Sequence, residues 1–426
     1  MTRKCIYRRL LIVVLLLGIM GLGTYEYLTI KKSIPDEIKM VKGSEQVLNF
    51  HPLTEAVVYE ESIEVLAENT PNIPNSELHI SSSNTSVFLA CDKGSYSINC
   101  KLFGFIHLKS IKVDVVENQY LIPGGEPIGI YMETDGVLVI GTGVVTATDG
   151  LNYEPAYNII KSGDYILSVN SEVVNNKKEL VEKVNNYGNE DLLLEVRRNN
   201  EIIKFSLKPV MIGVDEYKIG IWVRDNTQGI GTLTFMDTDG NFGALGHGIN
   251  DVDTGELMEL KTGQLYNTDI IYIVKGEKGS PGELSGVIRY DDKEIMGEIT
   301  QNTKSGIFGT IAGDTTDLSN EAVEVCYKQD IEIGAATILS SVSGSVQEYT
   351  VEIEEINLND NDANKGLVIK VTDPKLLELT GGIVQGMSGS PILQNGKLIG
   401  AVTHVFIQDS TSGFGIFIEN MLENQN

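Results

Sequence analysis

The sequence predicts a mainly β protein whose C-terminal half, residues 211–426, forms a double β-barrel. Short segments rich in Val, Ile and Thr recur along this half and are separated by Gly, Asp and Asn. The chain of 426 residues contains 44 glycines and 11 prolines, which favours frequent turns over long helices. A unit of this size with many strands and few helical periods is typical of two barrels packed together.

Residues 1–30 have the pattern of a signal anchor. An apolar run spans Leu10–Gly23 and continues towards Ile30. No clear small-residue cleavage site follows, so we expect an uncleaved anchor with a cytoplasmic N-terminus; a cleaved signal peptide is the close alternative. Either way, the residues that follow lie outside the cytoplasm. Four cations precede the apolar run: Arg3, Lys4, Arg8 and Arg9.

The rest of the chain divides into three parts. Residues 31–115 hold short strand-like pieces of unknown role, residues 116–210 form a clearer module, and residues 211–426 form the predicted barrels. In the first of these parts, Cys91 and Cys100 are close enough in sequence to pair, and an extracytoplasmic location permits a disulfide.

Charge and motif content exclude several classes of function. The chain carries 33 Lys and Arg against 59 Asp and Glu, a net charge of −26, which repels nucleic acid. Neither C-x-x-C nor H-E-x-x-H occurs, so no zinc signature is present. The acidic stretch after Asn357 fails as a calcium loop, because Lys365 and Val371 stand where glycine and a bidentate acid are needed. We therefore expect no metal and no cofactor.

Residues 116–210 resemble a PDZ domain. The match rests on the Ile160–Asn170 segment, IKSGDYILSVN, followed by a predicted helix over Asn176–Asn186 and a final hairpin. The resemblance implies a groove between a strand and this helix, in which an extended peptide, or a segment of the chain itself, adds as an extra strand. Four residues match the loop that binds the terminal carboxylate: Pro127, Ile128, Gly129 and Ile130.

The segment Gly386–Pro391, GMSGSP, carries the strongest chemical signal. Glycines flank Ser388, and the Asn395-Gly396 pair downstream predicts a tight hairpin. A serine at the start of such a hairpin can expose its hydroxyl, while the backbone N–H groups of Gly386 and Ser388 can bind an oxyanion. The pattern resembles the nucleophile loop of chymotrypsin-like serine proteases. Ser390 is the alternative hydroxyl, but its position before proline predicts the start of a strand.

A serine hydroxyl needs a base to take its proton. Among the five histidines, His247 in GALGHGI lies far upstream of Ser388, as the base does in chymotrypsin-like chains. His404 is interpreted as a strand residue of the substrate cleft. Asp373, before Pro374, is the preferred carboxylate to orient the base, although an Asp-Pro pair is also a common helix N-cap. Four further acids remain candidates: Asp237, Asp239, Asp251 and Asp253.

The segment from Thr372 to Phe406, together with GALGHGI and the preceding module, resembles the stage IV sporulation protein B peptidases. That resemblance implies a triad of His247, Asp373 and Ser388. It also implies a role in sporulation signalling: self-processing, then cleavage of a membrane-embedded regulator of an intramembrane metalloprotease, in the space between the forespore and mother-cell membranes. Two alternatives remain, an envelope quality-control protease of the HtrA type and an inactive PDZ scaffold.

Overall fold

The structure is a computed structural model that describes residues 3–49, 54–60, 85–89, 94–312, 321–359 and 362–425. Cys91, and with it the predicted pairing to Cys100, lies outside the described residues. The chain forms two compact units. The first comprises residues 1–119, 324–332 and 356–361, and the second comprises residues 120–323, 333–355 and 362–426.

The first unit contains the N-terminal helix α1, Arg3–Ser33, and a four-stranded sheet. The part of α1 over Tyr7–Ser33 is long and apolar enough to cross a membrane, which agrees with the predicted anchor. Ile30 and Ile34, near its C-terminal end, are buried against the sheet. The strands of this part of the chain are β1 Glu37–Val41, β2 Glu45–Asn49, β3 Thr54–Glu60, β4 Thr85–Leu89, β5 Gly94–Leu102 and β6 Ile106–Val116. The four-stranded sheet has the order β1-β6-β5-β3, and β2 pairs with β4 separately.

The second unit contains two closed barrels and the predicted module. Its helices are α2 Lys177–Tyr187, α3 Pro374–Thr380 and α4 Ile418–Leu422. Strands before the second barrel are β7 Tyr120–Pro123, β8 Pro127–Thr142, β9 Val145–Thr146, β10 Asn152–Tyr153, β11 Tyr165–Val169, β12 Glu172–Val173, β13 Leu192–Arg198, β14 Glu201–Leu207, β15 Val210–Gly213, β16 Glu216–Lys218, β17 Ile221–Met236, β18 Asn241–Ala244, β19 Leu260–Val274, β20 Glu283–Ile288, β21 Ile295–Thr303, β22 Gly306–Ile311 and β23 Val323–Glu324.

The first barrel has six strands in the closed order β8-β19-β21-β22-β18-β17, because β17 pairs with β8. Its interior is filled by inward-facing aliphatic and aromatic side chains such as Ile128, Phe242 and Ile307, each fully buried. Small barrels of this kind are filled by side chains rather than by solvent.

The second barrel also closes with six strands, in the order β24-β25-β26-β29-β28-β27. Two closed barrels confirm the predicted double β-barrel. The strands are β24 Gly334–Ser340, β25 Gln347–Ile356, β26 Leu367–Val371, β27 Pro391–Gln394, β28 Lys397–Phe406 and β29 Asp409–Phe417. The predicted Asn395-Gly396 hairpin is confirmed between β27 and β28, with both turn residues at positive φ, 53° and 77°.

Strand β8 belongs to the first barrel and to the module together. It bends at Gly136, whose φ is 92°, and the carbonyl of Gly136 accepts a hydrogen bond from the Thr134 hydroxyl. Residues before the bend pair with β17 and β19, whereas residues after it pair with β11 and the start of β17. The predicted boundary at residue 210 leaves β8 outside the peptidase domain; in the structure β8 closes the first barrel.

Helix α2 of the module contacts strands β11, β16 and β17. The helix starts one residue after its cap Asn176, whose side chain accepts from the Glu179 N–H at 2.9 Å, and ends close to the predicted bound. Leu180 and Val184 are buried in the module core, as their spacing predicts, but Val181 is 51% exposed. The 3.6-residue period places Val181 beyond the edge of the buried stripe.

A charged pair fixes the turn before β11. Asp164 is fully buried, and its carboxylate accepts from Arg198 Nε and Nη2 at 2.7 Å each and from the Lys161 N–H at 2.7 Å. A buried carboxylate without its cation is costly, because water no longer solvates the charge.

We expect Arg198→Met to destabilise the module by about 3–5 kcal/mol, since the buried charge of Asp164 loses its partner. The measurement is urea unfolding followed by the fluorescence of Trp222, the chain's one tryptophan, which lies on β17. Adding Asp164→Asn should recover most of the loss, because the neutral amide can still accept from Lys161. A double variant no more stable than Arg198→Met would contradict this account.

Candidate active site

The loop that carries Ser388 lies between helix α3 and strand β27 in the second barrel. The Ser388 hydroxyl donates to the carbonyl of Thr403 on β28 at 2.7 Å. Ser390 lies immediately before β27, in agreement with the predicted strand entry: its side chain is fully buried, and within the described part of the chain its hydroxyl has no hydrogen-bond partner. Ser388 is therefore the accessible hydroxyl of the pair.

Two carbonyls of this loop are anchored by neighbouring N–H groups. Leu284 on β20 donates to the Gln385 carbonyl at 2.8 Å, and Ser390 donates to the Met387 carbonyl at 2.9 Å. N–H and C=O of a trans peptide point in opposite directions, so each anchored carbonyl also fixes the direction of the following N–H. Those N–H groups belong to Gly386 and Ser388.

Within the part of the chain that the structure describes, the N–H groups of Gly386 and Ser388 donate no hydrogen bond. The intervening Met387 N–H, by contrast, donates to the Val384 carbonyl at 3.1 Å, and the Gly389 N–H donates to the Val402 carbonyl at 2.8 Å. The loop thus alternates used and unused donors. Two fixed, unpaired N–H groups beside a serine hydroxyl are the arrangement that an oxyanion hole requires.

His247 follows strand β18 after a tight turn. The Gly246 N–H donates to the Ala244 carbonyl at 2.9 Å, which closes a three-residue turn around Leu245 with φ at 71°. This sense of turn is rare for a non-glycine residue and costs energy. Asn302 on β21 holds the far side of the loop, since its side chain accepts from the Ile249 N–H and donates to the Ile249 carbonyl.

The His247 ring is half-buried, with Nδ1 2.9 Å from the Gly248 carbonyl oxygen. If Nδ1 carries the proton for this bond, Nε2 is left to accept one. Burial lowers the pKa of His247, and the hydrogen bond to Gly248 opposes that shift. The ring is thus held in its neutral form at neutral pH, as a general base requires.

A second histidine lies against the first. The rings of His247 and His404 are 4.8 Å apart between centroids, at 34°. Desolvation, and then repulsion by the His247 ring when it is protonated, lower the pKa of His404 to about 4, although the residue remains exposed. The negative charge of Asp362 raises the pKa of His404 and so opposes this shift. The sequence places His404 on a strand of the cleft, and the structure adds its contact with the predicted base.

Thr232 on β17 lies between the two loops. Its N–H donates to the Ser388 carbonyl at 3.0 Å, its hydroxyl donates to the Gly386 carbonyl at 2.8 Å, and its own carbonyl accepts from the Leu245 N–H at 3.3 Å. The backbone of Gly389 also packs on Leu245, where a Cβ on Gly389 would come within 2.6 Å of the Leu245 nitrogen. The structure therefore brings the loops of His247 and Ser388 side by side.

No hydrogen bond joins the side chains of His247 and Ser388 among the described residues, because the Ser388 hydroxyl donates to Thr403 instead. For the proposed chemistry, this hydroxyl has to turn from the Thr403 carbonyl to His247 Nε2. Catalytic hydrogen bonds are often absent from structures without substrate and form in the complex.

Among the described residues, Asp373 forms no hydrogen bond with His247. Its carboxylate accepts from the Lys375 and Leu376 N–H groups at 2.9 and 3.0 Å and caps helix α3, and the Thr350 N–H is 3.3 Å away. The structure therefore realises the alternative that the Asp-Pro pair allows, an N-cap. In the described chain, the group bonded to Nδ1 of His247 is the Gly248 carbonyl and not a carboxylate.

Three of the four other acidic candidates, Asp237, Asp251 and Asp253, have carboxylates engaged away from His247. Asp251 and Asp253 pair with Arg224 on β17, and the Asp237 carboxylate accepts from the Asp239 and Asn241 N–H groups in a turn. Across residues 3–312, 321–359 and 362–425, excluding the gaps already given, no group of three or more His, Cys, Asp or Glu is arranged to hold a metal.

The four residues assigned to peptide binding lie in the barrel half of β8. Ile128 pairs with Gly231 on one side and Asn267 on the other, and Ile130 pairs with Gly229 and Leu265. Pro127 and Gly129 belong to the same strand. Both edges of the strand are thus occupied here, so a peptide that adds as a strand has to do so at another edge of the module.

Beside helix α2, where the PDZ resemblance predicts a groove, lies a segment of the chain itself. Residues 221–224 pair with residues 138–142 of β8, and Ile221 and Val223 pack on the module core that contains Leu180 and Val184. Asp225, at the end of this segment, accepts from the Lys177 N–H at 2.7 Å, at the first turn of the helix.

Sequence reasoning missed Thr232 and Asp362. Thr232 stands in an ordinary strand segment, GIGTLTF, and nothing in its neighbours indicates that it bonds a loop more than 150 positions later. Asp362 lies in the acidic stretch after Asn357 that fails as a calcium loop. Its link to His404 depends on the fold of the second barrel and carries no local signal.

Two six-stranded barrels, a glycine-flanked serine with two unpaired N–H groups and a nearby histidine loop define a serine peptidase of the chymotrypsin-like class. Residues 215–422 match the family described as SpoIVB peptidase S55, and the chain is a serine endopeptidase.

Among solved structures, the chain is similar to an inactive serine-to-alanine mutant of Rv3671c from M. tuberculosis H37Rv. The identity is 15%, the TM-score is 0.24, and the match covers 46% of this chain and 79% of that chain. No curated protein matches the sequence.

We expect Gly389→Ala to abolish reactivity of Ser388 and to lower stability by more than about 2 kcal/mol. Gly389 has a φ of 96°, and a Cβ there would lie 2.1 Å from the Thr232 carbonyl oxygen, a backbone atom that cannot move aside alone. Gly396→Ala is the matched control, because its φ is 77° but no atom lies within 4 Å.

The control should cost only about 1–2 kcal/mol for its backbone conformation and should keep the serine reactive. Thermal unfolding and labelling of the serine with a fluorophosphonate measure both quantities. Equal losses in the two variants would show that the close approach of Gly389 to Thr232 is unimportant.

Proposed function

We propose that this protein is an extracytoplasmic serine endopeptidase in which Ser388 is the nucleophile and His247 the general base. The observation that carries the proposal is the pair of unpaired N–H groups, on Gly386 and Ser388, held beside the serine hydroxyl. Removing one donor from such a site slows catalysis by roughly 10²–10³-fold, so fixed free donors are a functional feature and not an incidental one.

The proposed reaction proceeds through an acyl-enzyme. His247 Nε2 takes the proton of the Ser388 hydroxyl while Ser388 Oγ attacks the carbonyl carbon of the peptide substrate. The N–H groups of Gly386 and Ser388 bind the resulting oxyanion. The C–N bond then breaks as the imidazolium gives its proton to the leaving amine. Water, activated by the same histidine, releases the acid and restores the serine.

The orienting group for His247 is part of the proposal. The family resemblance assigns this task to Asp373, whereas the hydrogen bonds place the Gly248 carbonyl at Nδ1. A carbonyl can fix the ring and its tautomer, as a carboxylate does, but it stabilises the imidazolium less. We propose that Asp373 acts on the site through helix α3, whose N-terminus it caps just before the nucleophile loop.

The biological setting is proposed from the family and from helix α1. The SpoIVB match supports a role in sporulation. Self-processing and cleavage of a membrane-embedded regulatory protein are proposed from the family resemblance alone. The apolar helix over Tyr7–Ser33 supports attachment to the membrane that holds such a substrate. The space between the forespore and mother-cell membranes is the compartment that this reading requires.

The self-segment of the module is proposed to be residues 219–224. Pairing of residues 221–224 with β8, and packing of Ile219 in the module core, support that assignment. A peptide ligand that enters the same groove would have to displace this segment, because it uses the edge that such a ligand needs.

A fluorophosphonate probe tests the central proposal on the full chain in detergent. The probe should label the wild type, and peptide mapping should place the label on Ser388. Ser388→Ala should abolish labelling, and Ser390→Ala, the matched control two positions away, should keep it, because the Ser390 hydroxyl is buried. Label on Ser390, or none at all, would favour a different nucleophile or an inactive scaffold.

The rate of labelling should rise with pH through a midpoint below about 6.5, the ordinary value for histidine. The base acts when neutral, and burial lowers the pKa of His247, so the neutral form persists to lower pH. The measurement is the second-order labelling rate between pH 4 and 8, taken on a protein whose fold is checked by circular dichroism at each pH. A midpoint above 7 would contradict the burial of the base.

A further inference from the structure

Thr232 forms three hydrogen bonds with the two loops of the candidate site, although its side chain carries no charge. It is 3% exposed and lies on β17 of the first barrel, whereas the loop that it binds belongs to the second barrel. Its N–H donates to the Ser388 carbonyl, and its hydroxyl donates to the Gly386 carbonyl. One threonine therefore binds both ends of the Gly386–Ser388 segment.

Those two carbonyls alternate with the two unpaired N–H groups along the loop. A hydrogen bond from Thr232 to the Gly386 carbonyl keeps that negative dipole turned away from the direction in which the Gly386 N–H points. Glycine allows either orientation of the following peptide at little cost, and Gly386 has a φ of 96°. The Met387 N–H of the same peptide donates to the Val384 carbonyl at 3.1 Å, so the Thr232 hydroxyl supplies the second of the two hydrogen bonds that fix this peptide group.

Thr232 also contacts the loop of the base. Its carbonyl accepts from the Leu245 N–H, two residues before His247, at 3.3 Å. The same residue thus sets the position of the nucleophile loop relative to the loop of His247, and misplacement of reacting groups by about 1 Å can cost on the order of 10²-fold in rate.

We propose that Thr232 is a positioning residue that holds the oxyanion hole in register with His247, through the hydrogen bond from its hydroxyl to the Gly386 carbonyl. This inference rests on the proposed function of Ser388. Thr232 does not touch the reacting atoms; it acts through the peptide groups that do.

The test compares three variants of the full chain in detergent. Thr232→Val removes the hydroxyl and keeps the shape, and Thr232→Ser keeps the hydroxyl. Thr234→Val is the matched control: Thr234 lies two positions along the same strand, is fully buried, and has a hydroxyl that finds no hydrogen-bond partner among the residues that the structure describes. Each variant is assayed for melting temperature, fluorophosphonate labelling rate, and kcat and KM towards p-nitrophenyl acetate.

We expect Thr232→Val to lower kcat and the labelling rate by about 10- to 100-fold with little change in KM, since the hole acts on the transition state. Thr232→Ser and Thr234→Val should stay near wild type. The same fall in Thr234→Val, or a wild-type rate in Thr232→Val, would overturn the inference.

Loss of folding is separated from loss of positioning. If Thr232→Val melts below the assay temperature, Thr232→Ala is assayed at a temperature where circular dichroism shows it folded, and a normal rate per folded molecule overturns the inference. A wild-type protein that neither labels nor hydrolyses the ester overturns the proposed function, and this inference with it. A reactive wild type with an equally reactive Thr232→Val overturns this inference alone.

Discussion

The pairing of strand β17 with strand β8 is the constraint on which the rest of the second unit depends. At its start, β17 lies beside helix α2 as a strand of the module; at its end, Thr232 binds the nucleophile loop. Between these points, Arg224 forms ion pairs with Asp251 and Asp253, which follow the loop of His247. A single continuous strand therefore links the segment beside helix α2, the loop of His247 and the loop of Ser388, and a shift in its register would disturb all three.

Because β8 is shared, the module is a structural part of the first barrel and not a separable domain. A PDZ domain joined by a linker can be removed without harm to the enzyme, but here β8 closes the first barrel and also forms part of the module sheet. Deleting the module would open the barrel, leaving β17 and β19 without their shared partner. Regulation through the groove, if a peptide displaces residues 219–224, would act on the same strand that carries Thr232, because the two are parts of one element.

In the candidate site, the Ser388 hydroxyl and the His247 ring each contact another group and not one another. The Ser388 hydroxyl donates to the Thr403 carbonyl, and the His247 ring lies against His404. Both N–H groups of the proposed oxyanion hole belong to peptides whose carbonyls Leu284 and Ser390 anchor. In the proposed reaction, the hydroxyl has to turn from Thr403 towards a base that burial keeps neutral. The costly part, which is the backbone of the loop, is in place beforehand.

The sequence by itself determined the features that depend on neighbouring residues. Asn395-Gly396 favours its hairpin, Asn176 caps the predicted helix, and the glycines around Ser388 allow the positive φ values that expose two N–H groups, because each of these is short-range chemistry. Only the tertiary structure decided which strand pairs with which. It drew β8 into the barrel, placed Asp373 on a helix end, and set Thr232 against a loop more than 150 residues away. Such contacts depend on the long-range pairing of strands, and a strand's own residues specify its two faces but not its partners.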